Sequence, residues 1–267
     1  MLEGAYVVNA SYNRSSMILN LLRRLYGVYA LSLALIILLL IGVPLVLLMP
    51  GLNRRRWAGR KAVRGWLWSV GAPLRLRGLA QLPAGPCVVV SNHASYLDGP
   101  LLMAALPSRF TFVVQHGAAS WPLAGRVIKA MGVRFVERES KRAGAAQLLG
   151  LIRRLQDGES LAVFPEGTFN AEPALLKFHG GAFLTAAHAG VPVVPAVIRG
   201  SRRFLGDGRL LPSPSRLEIE LFAPIQVSGT DRESVARTAA AARAVILRHC
   251  GEIDGTIPKP MEYPSPP

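Results

Sequence analysis

The 267-residue sequence predicts an α/β fold, with a largely parallel or mixed central sheet flanked by helices and an N-terminal membrane-embedded helical segment. Three observations predict it. From residue 87 onward, short apolar runs alternate with longer stretches of helical period, the pattern of a layered α/β domain. Pro107, Gly132, Gly158, Gly190 and Pro192 punctuate the joins. Ahead of that region, Leu25–Pro50 contains no charged residue.

The apolar run comes first in the chain. Tyr26–Met49 is 24 residues, and as a helix that length crosses the roughly 30 Å hydrocarbon core of a bilayer. Arg23 and Arg24 precede the run, and Arg54, Arg55, Arg56, Arg60, Lys61 and Arg64 follow it. Tyr26, Tyr29, Trp57, Trp66 and Trp68 supply aromatics near its ends, as an interfacial belt would. A cleaved signal peptide has a shorter apolar core, about 7–15 residues. The basic excess after the run predicts a cytoplasmic C-terminal domain. Gly42 and Pro44 offer a break, so a re-entrant hairpin, or a helix lying partly in the interface, stands beside a full span.

Charge follows the same division. The chain carries 31 Lys+Arg and 16 Asp+Glu, a net charge of +15. Residues 1–86 hold 11 basic residues and one acid, and residues 87–267 hold 20 and 15, so +10 of the excess lies beside the apolar run. A nucleic-acid-binding domain would carry a basic stripe on its folded body, and no nucleic-acid partner is expected. The segment 54–77 instead reads as a juxtamembrane patch attracted to anionic membrane lipid. Residues 1–64 are expected to form the membrane-anchoring segment, 65–255 the α/β domain and 256–267 a proline-rich irregular tail.

Within the domain, strands are expected at Cys87–Ser91, Thr111–Gln115, Arg134–Glu137, Ser160–Phe164, Val193–Arg199 and Arg216–Phe222. Helices are expected at Gly99–Ala105, Leu123–Met131, Arg142–Gln156, Gly181–Ala189 and Asp231–Cys250. Cys87 and Cys250 lie far apart, and the five histidines lack zinc-ligand spacing, so neither metal nor cofactor is called for. No serine elbow, Walker loop or dinucleotide glycine loop occurs.

In open α/β sheets the reactive groups gather in loops beyond strand ends. The first such loop is Asn92-His93-Ala94-Ser95-Tyr96-Leu97-Asp98. A carboxylate on one imidazole nitrogen fixes the tautomer and supports the imidazolium formed at the other, which makes His93 with Asp98 a general base. Taken alone, a His with Asp at i+5 is weak evidence, because His93 capping a loop and Asp98 capping the helix is the more common reading of such a pair. The second loop is Phe164-Pro165-Glu166-Gly167-Thr168. Between them Arg138 follows a short strand, with the planar donor fork suited to phosphate.

Asn92–Asp98 resembles the NHx4D block of the glycerolipid (lysophospholipid) acyltransferase superfamily, and Phe164–Thr168 resembles its FPEGT block. Gly132–Arg138 is similar to the block that ends in a phosphate-binding arginine, and Val191–Pro195 to the proline-centred fourth block. The likeness runs over roughly residues 85–205. It implies a glycerol-3-phosphate acyltransferase-like fold and an O-acyltransferase at the membrane. His93 and Asp98 would be catalytic; Arg138, Glu166, Gly167, Thr168, Ser95 and Lys177 would bind substrate. The implied donor is acyl-CoA or acyl carrier protein. The acceptor is a lysophospholipid, with 1-acyl-sn-glycerol-3-phosphate giving phosphatidic acid foremost and another lysolipid or glycerol 3-phosphate as the alternative. The implied location is the bacterial inner membrane, with the catalytic domain on the cytoplasmic face.

Two positions depart from the family pattern. A lysine usual before the second block is Gln115, and the residue after FPEGT, often arginine, is Phe169. Each replaces a phosphate partner with a neutral side chain; either Lys177 supplies the lost charge or the acceptor is not a simple phosphomonoester. A membrane-associated hydrolase or thioesterase activating water through His93 and Asp98 is the rival from another class.

Overall fold

The computed structural model describes residues 3–115, 122–136, 141–169 and 171–257. It opens on a rod made of α1 (Glu3–Ile37), a π-helical stretch (Leu38–Gly42) and α2 (Val43–Leu48). Gly42 and Pro44 do not break the rod. One widened turn, in which Val43 N–H donates to Leu38 O, accommodates the proline that cannot donate to the ladder. The chain reverses at Gly51, which needs its positive φ of 80° there, and α3 (Leu52–Ser69) returns beside α1.

This return changes the reading of the basic segment. Tyr26 OH donates to Val70 O (3.0 Å) and Trp66 Nε1 donates to Ala30 O (3.0 Å), tying the two helices together. Trp66, expected in an interfacial belt, is therefore a buried core residue. The lipid-facing patch expected over 54–77 also divides. Arg56 is only 4% exposed and donates to Met131 O (3.0 Å), Ser108 O (2.9 Å) and Thr111 Oγ1 (2.6 Å). Arg60 Nε donates to Ala104 O (3.2 Å) at the end of α4 (Asp98–Ala105), where a cation suits the helix C-terminus. Arg54, Lys61 and Arg64 remain exposed.

Close packing holds α1 to the domain. A Cβ on Gly27 would stand 2.7 Å from Leu211 Cβ and 2.8 Å from Pro212 O. Gly27→Val is expected to pry α1 away and cost about 1–3 kcal/mol, read as a lowered Tm.

Among the described residues, seven strands form the main sheet: β1 (Leu74–Arg77), β2 (Val88–Ser91), β3 (Phe110–Gln115), β4 (Arg134–Val136), β5 (Ser160–Val163), β7 (Val193–Arg199) and β8 (Leu217–Leu221). Their order is β1-β8-β7-β2-β5-β3-β4. Every pairing is parallel except β7 with β8. The mixed, mostly parallel α/β sheet is the expected fold class. Of the main-sheet strands β1 was not anticipated: its Leu-Arg-Leu-Arg alternation lies inside the segment read as a charged patch, although the alternation itself is a strand period. A small second sheet pairs β6 (Ala174–Leu175) with β9 (Ile253–Asp254).

Helices cover both faces. Val89, Ala162, Val194 and Ile198 pack with residues of α3 and α4. Val88, Val90, Leu161 and Val197 pack toward α6 (Lys141–Gln156), α7 (Gly181–Ala189) and α9 (Arg232–Cys250). The three valines of β2 have no exposed surface, and burying each is worth about 1.5–3 kcal/mol. A central strand buried on both faces reads as a continuous apolar run, as Val88–Val90 does. It presents the next residues, 92 and 93, at the carboxyl edge of the sheet.

Candidate active site

Asn92 sets where the loop leaves the sheet. Its Nδ2 donates to Ile198 O (3.0 Å) and its Oδ1 accepts from Ile198 N (2.8 Å), so the side chain takes the place of a strand rung against β7. His93 follows, with 18% of its side chain exposed. Its Nδ1 lies 2.9 Å from Asp98 Oδ2. Asp98 is fully buried at the start of α4, and the same oxygen accepts from Ala94 N (2.6 Å) and Ser95 N (2.8 Å). Three contacts thus gather on one carboxylate oxygen at a helix N-terminus. With Nδ1 committed to Asp98, Nε2 is the nitrogen left to exchange a proton with a ligand.

Glu166 stands at the second loop and is 2% exposed. Its Oε1 accepts from His93 N (2.6 Å) and its Oε2 from Leu176 N (2.7 Å). Both oxygens are thus used inside the protein, and Glu166 clamps the histidine loop to the segment that leaves β6 (Ala174–Leu175). Behind it, Arg243 of α9 donates to Leu175 O (2.8 Å), Leu176 O (3.2 Å) and Asp254 (2.6 Å). That guanidinium holds Asp254 well below the usual carboxylate range.

Burial pushes the Glu166 carboxyl up from its ordinary 4.5 to about 7, against the two amide donors that pull it down. A carboxyl raised on folding favours the native state most when protonated. Its contribution is full below about 4.5 and is lost as pH rises through 7. The Tm advantage of the wild type over Glu166→Gln is therefore expected to shrink between those limits, checked by paired melts across pH. The amide also presents N–H to a backbone donor, leaving one buried donor unmet at a cost of about 1–3 kcal/mol.

The other expected substrate-binding residues fall in different places. Ser95 is fully buried; its Oγ donates to Leu205 O (2.5 Å) and accepts from Leu97 N (3.1 Å), anchoring the histidine loop to the last residue of α8 (Ser201–Leu205). Gly167, at φ 72°, donates its N–H to Phe164 O (3.0 Å). The amide of this expected substrate-binding residue thus closes a turn. Thr168 is exposed, and its Oγ1 donates to Phe169 O (3.4 Å). Lys177 is exposed just past Leu176. Arg138 lies outside the described residues.

Sequence reasoning missed the aromatic surroundings of His93. The Phe164 ring stacks on the imidazole at 4.2 Å and 17°, and the Phe169 ring meets it at 4.5 Å and 54°. Tyr96 meets Phe169 edge to face at 4.9 Å. The signal was the aromatic residue at each end of the second loop, which only the sheet order brings beside β2. Together these groups form a base-competent imidazole with one oriented nitrogen, seated in an apolar wall.

A family model described as Acyltransferase matches residues 73–199, the segment from β1 to the end of β7. The lyso-ornithine lipid O-acyltransferase of Pseudomonas aeruginosa is 34% identical over 200 residues, covering 67% of this chain and 76% of that protein. The human 1-acyl-sn-glycerol-3-phosphate acyltransferase beta is 30% identical over 169 residues, covering 62% of this chain and 61% of that protein. The crystal structure of the 1-acyl-sn-glycerophosphate acyltransferase PlsC from Thermotoga maritima superposes with a TM-score of 0.69 at 22% identity, covering 86% and 95% of the two chains. That likeness is one of fold. With the His93–Asp98 pair at the carboxyl edge of such a sheet, and with these sequence matches across it, the chain belongs to the acyltransferase family and is an O-acyltransferase.

Proposed function

We propose that the protein transfers an acyl group from a thioester, on coenzyme A or acyl carrier protein, to the free hydroxyl of a lysolipid, with His93 as general base and Asp98 as the group that orients it. The 2.9 Å contact between His93 Nδ1 and Asp98 Oδ2 carries this reading. Nε2 takes the acceptor proton as the oxygen attacks the thioester carbonyl. The C–O bond forms, the C–S bond breaks, and the departing sulfur takes the proton from the imidazolium. General-base assistance is worth about 10²–10⁴ in rate, and holding both substrates in register supplies much of the rest. Glu166, Ser95 and Gly167 act by positioning the two loops. The relatives' names cover 1-acyl-sn-glycerol-3-phosphate and lyso-ornithine lipid as acceptors.

The membrane holds such an enzyme at its substrate. Ser16–Leu48 is long and apolar enough to cross a bilayer. Yet Gly27, Ala30 and Val46 along it are buried, over a length of roughly 30 Å. Leu35, Leu40, Leu45 and Leu48 are exposed. One face against the domain and one apolar face outward supports a rod lying in the interface of a single leaflet, rather than a span ringed by lipid. Arg54, Lys61 and Arg64 beside it favour the anionic cytoplasmic face of a bacterial inner membrane.

The test is purified protein in detergent with a labelled acyl thioester and a panel of lysolipids. Diacyl lipid is the expected product. Free fatty acid without ester would instead support a hydrolase or thioesterase.

A further inference from the structure

Glu166 is held at both ends by backbone amides, and one of those amides is itself held. Leu175 O and Leu176 N–H belong to one peptide unit, planar and trans, so the two groups point in opposite directions. Its carbonyl accepts from Arg243 Nη2 (2.8 Å) and Gly255 N (3.0 Å), and its N–H donates to Glu166 Oε2 (2.7 Å). Glu166 Oε1 in turn accepts from His93 N (2.6 Å). A continuous chain of hydrogen bonds therefore runs from a guanidinium on α9, through one peptide and one carboxyl group, to the backbone of the histidine.

The same guanidinium donates to Leu176 O (3.2 Å), on the next peptide, and to both oxygens of Asp254 on β9 (2.6 and 3.1 Å). Asp254 also accepts from Thr256 N (2.9 Å) and Thr256 Oγ1 (2.6 Å), so the carboxylate that aims the fork is fixed in turn. A cation donating to a carbonyl polarises the peptide and strengthens the N–H at its other end as a donor. A planar fork can span two successive carbonyls and a carboxylate, which the point charge of a lysine cannot. Both α9 and β9 lie beyond residues 73–199, the segment that the family model matches.

We infer that Arg243 is a positioning residue for acyl transfer: through the Leu175–Leu176 peptide and Glu166 it sets where the His93 backbone, and with it the imidazole, stands. This rests on the transferase reading above and adds to it a group from outside the matched segment. Misplacing a reacting group by about 1 Å costs up to roughly 10²-fold in rate. A loosened Glu166 would have that effect with every substrate contact intact.

The test follows ester formation by the full chain from one acyl thioester and one lysolipid, at a temperature where circular dichroism shows each variant folded. Arg243→Ala is expected to lower kcat about 10- to 100-fold, with both KM values within about twofold of the wild type's. Arg56→Ala controls for destabilisation alone. Arg56 is bonded to Ser108 O and Met131 O ahead of β3 and β4, at the opposite edge of the sheet from His93, so its variant should keep a kcat near that of the wild type. Arg243→Lys, the milder variant, keeps the charge beside Asp254 and should recover Tm more fully than kcat. Arg243→Ala combined with Glu166→Gln should be no more than about twofold slower than the slower single variant, because both act through one bond. A wild-type kcat in Arg243→Ala, an equal fall in Arg56→Ala, a kcat restored by lysine along with Tm, or losses that multiply in the double variant would each overturn the assignment and leave the transferase reading standing. No ester from the wild type would overturn both.

Discussion

His93→Ala is expected to lower the rate of acyl transfer by roughly 10²–10⁴-fold while leaving the fold intact. The size of the loss reflects what no neighbour can replace. Asp98 is fully buried beside the ring, out of reach of an acceptor hydroxyl, with its Oδ2 against His93, Ala94 and Ser95. The fold survives because the ring is partly exposed and the bond that secures the loop, His93 N to Glu166 Oε1, belongs to the backbone. The fall should appear in kcat with little change in acceptor KM, since the base acts as charge develops rather than when the lipid binds. Asp98→Asn should also reduce kcat, because the amide cannot stabilise the imidazolium as a carboxylate does. Steady-state kinetics with one acceptor and one donor, beside circular dichroism of each variant, would measure both effects.

Arg56→Ala is expected to destabilise the protein by about 3–5 kcal/mol, the usual cost of removing one member of a buried charged network. The guanidinium ties α3 to three elements at once. It donates to Met131 O after α5 (Pro122–Ala130), Ser108 O ahead of β3 and Thr111 Oγ1 within it, with Glu159 at 3.5 Å. Thr111 also donates to Glu159, which accepts from Arg154 (2.6 Å). Burial lowers the Arg56 pKa from its ordinary value, and Glu159 opposes that shift. Removing Arg56 strands buried carbonyls and leaves one cation fewer against Glu159. Urea unfolding of the variant should give a lower midpoint with a similar slope. A shift no larger than that of Arg54→Ala, at an exposed position, would contradict the role assigned to Arg56.

Much of the domain was legible because its signals are local. The continuous Val88-Val89-Val90 run, bounded by turn residues, reads as a strand covered on both faces, and the 3.6-residue period of Arg142–Gln156 reads as a helix. The His93–Asp98 pairing was legible too, since five residues of loop suffice to bring the carboxylate back to the ring. What escaped depended on long-range packing. Arginine at position 56 has the same local context as its exposed neighbour Arg54, and only the reversal at Gly51 buries it. The inward role of Glu166 requires His93 and Leu176 to converge from different segments, 73 and 10 residues away in sequence. The contact between Phe169 and His93 follows from β5 lying next to β2, an order that composition does not reveal.

The most direct measurement follows thiol and lipid together in one reaction of labelled acyl thioester, lysolipid and purified protein. Transfer through a His93 base predicts one diacyl ester for each thiol released, with both signals falling in parallel in His93→Ala. Thiol release matched by free fatty acid instead, or an undiminished ester rate in His93→Ala, would contradict it.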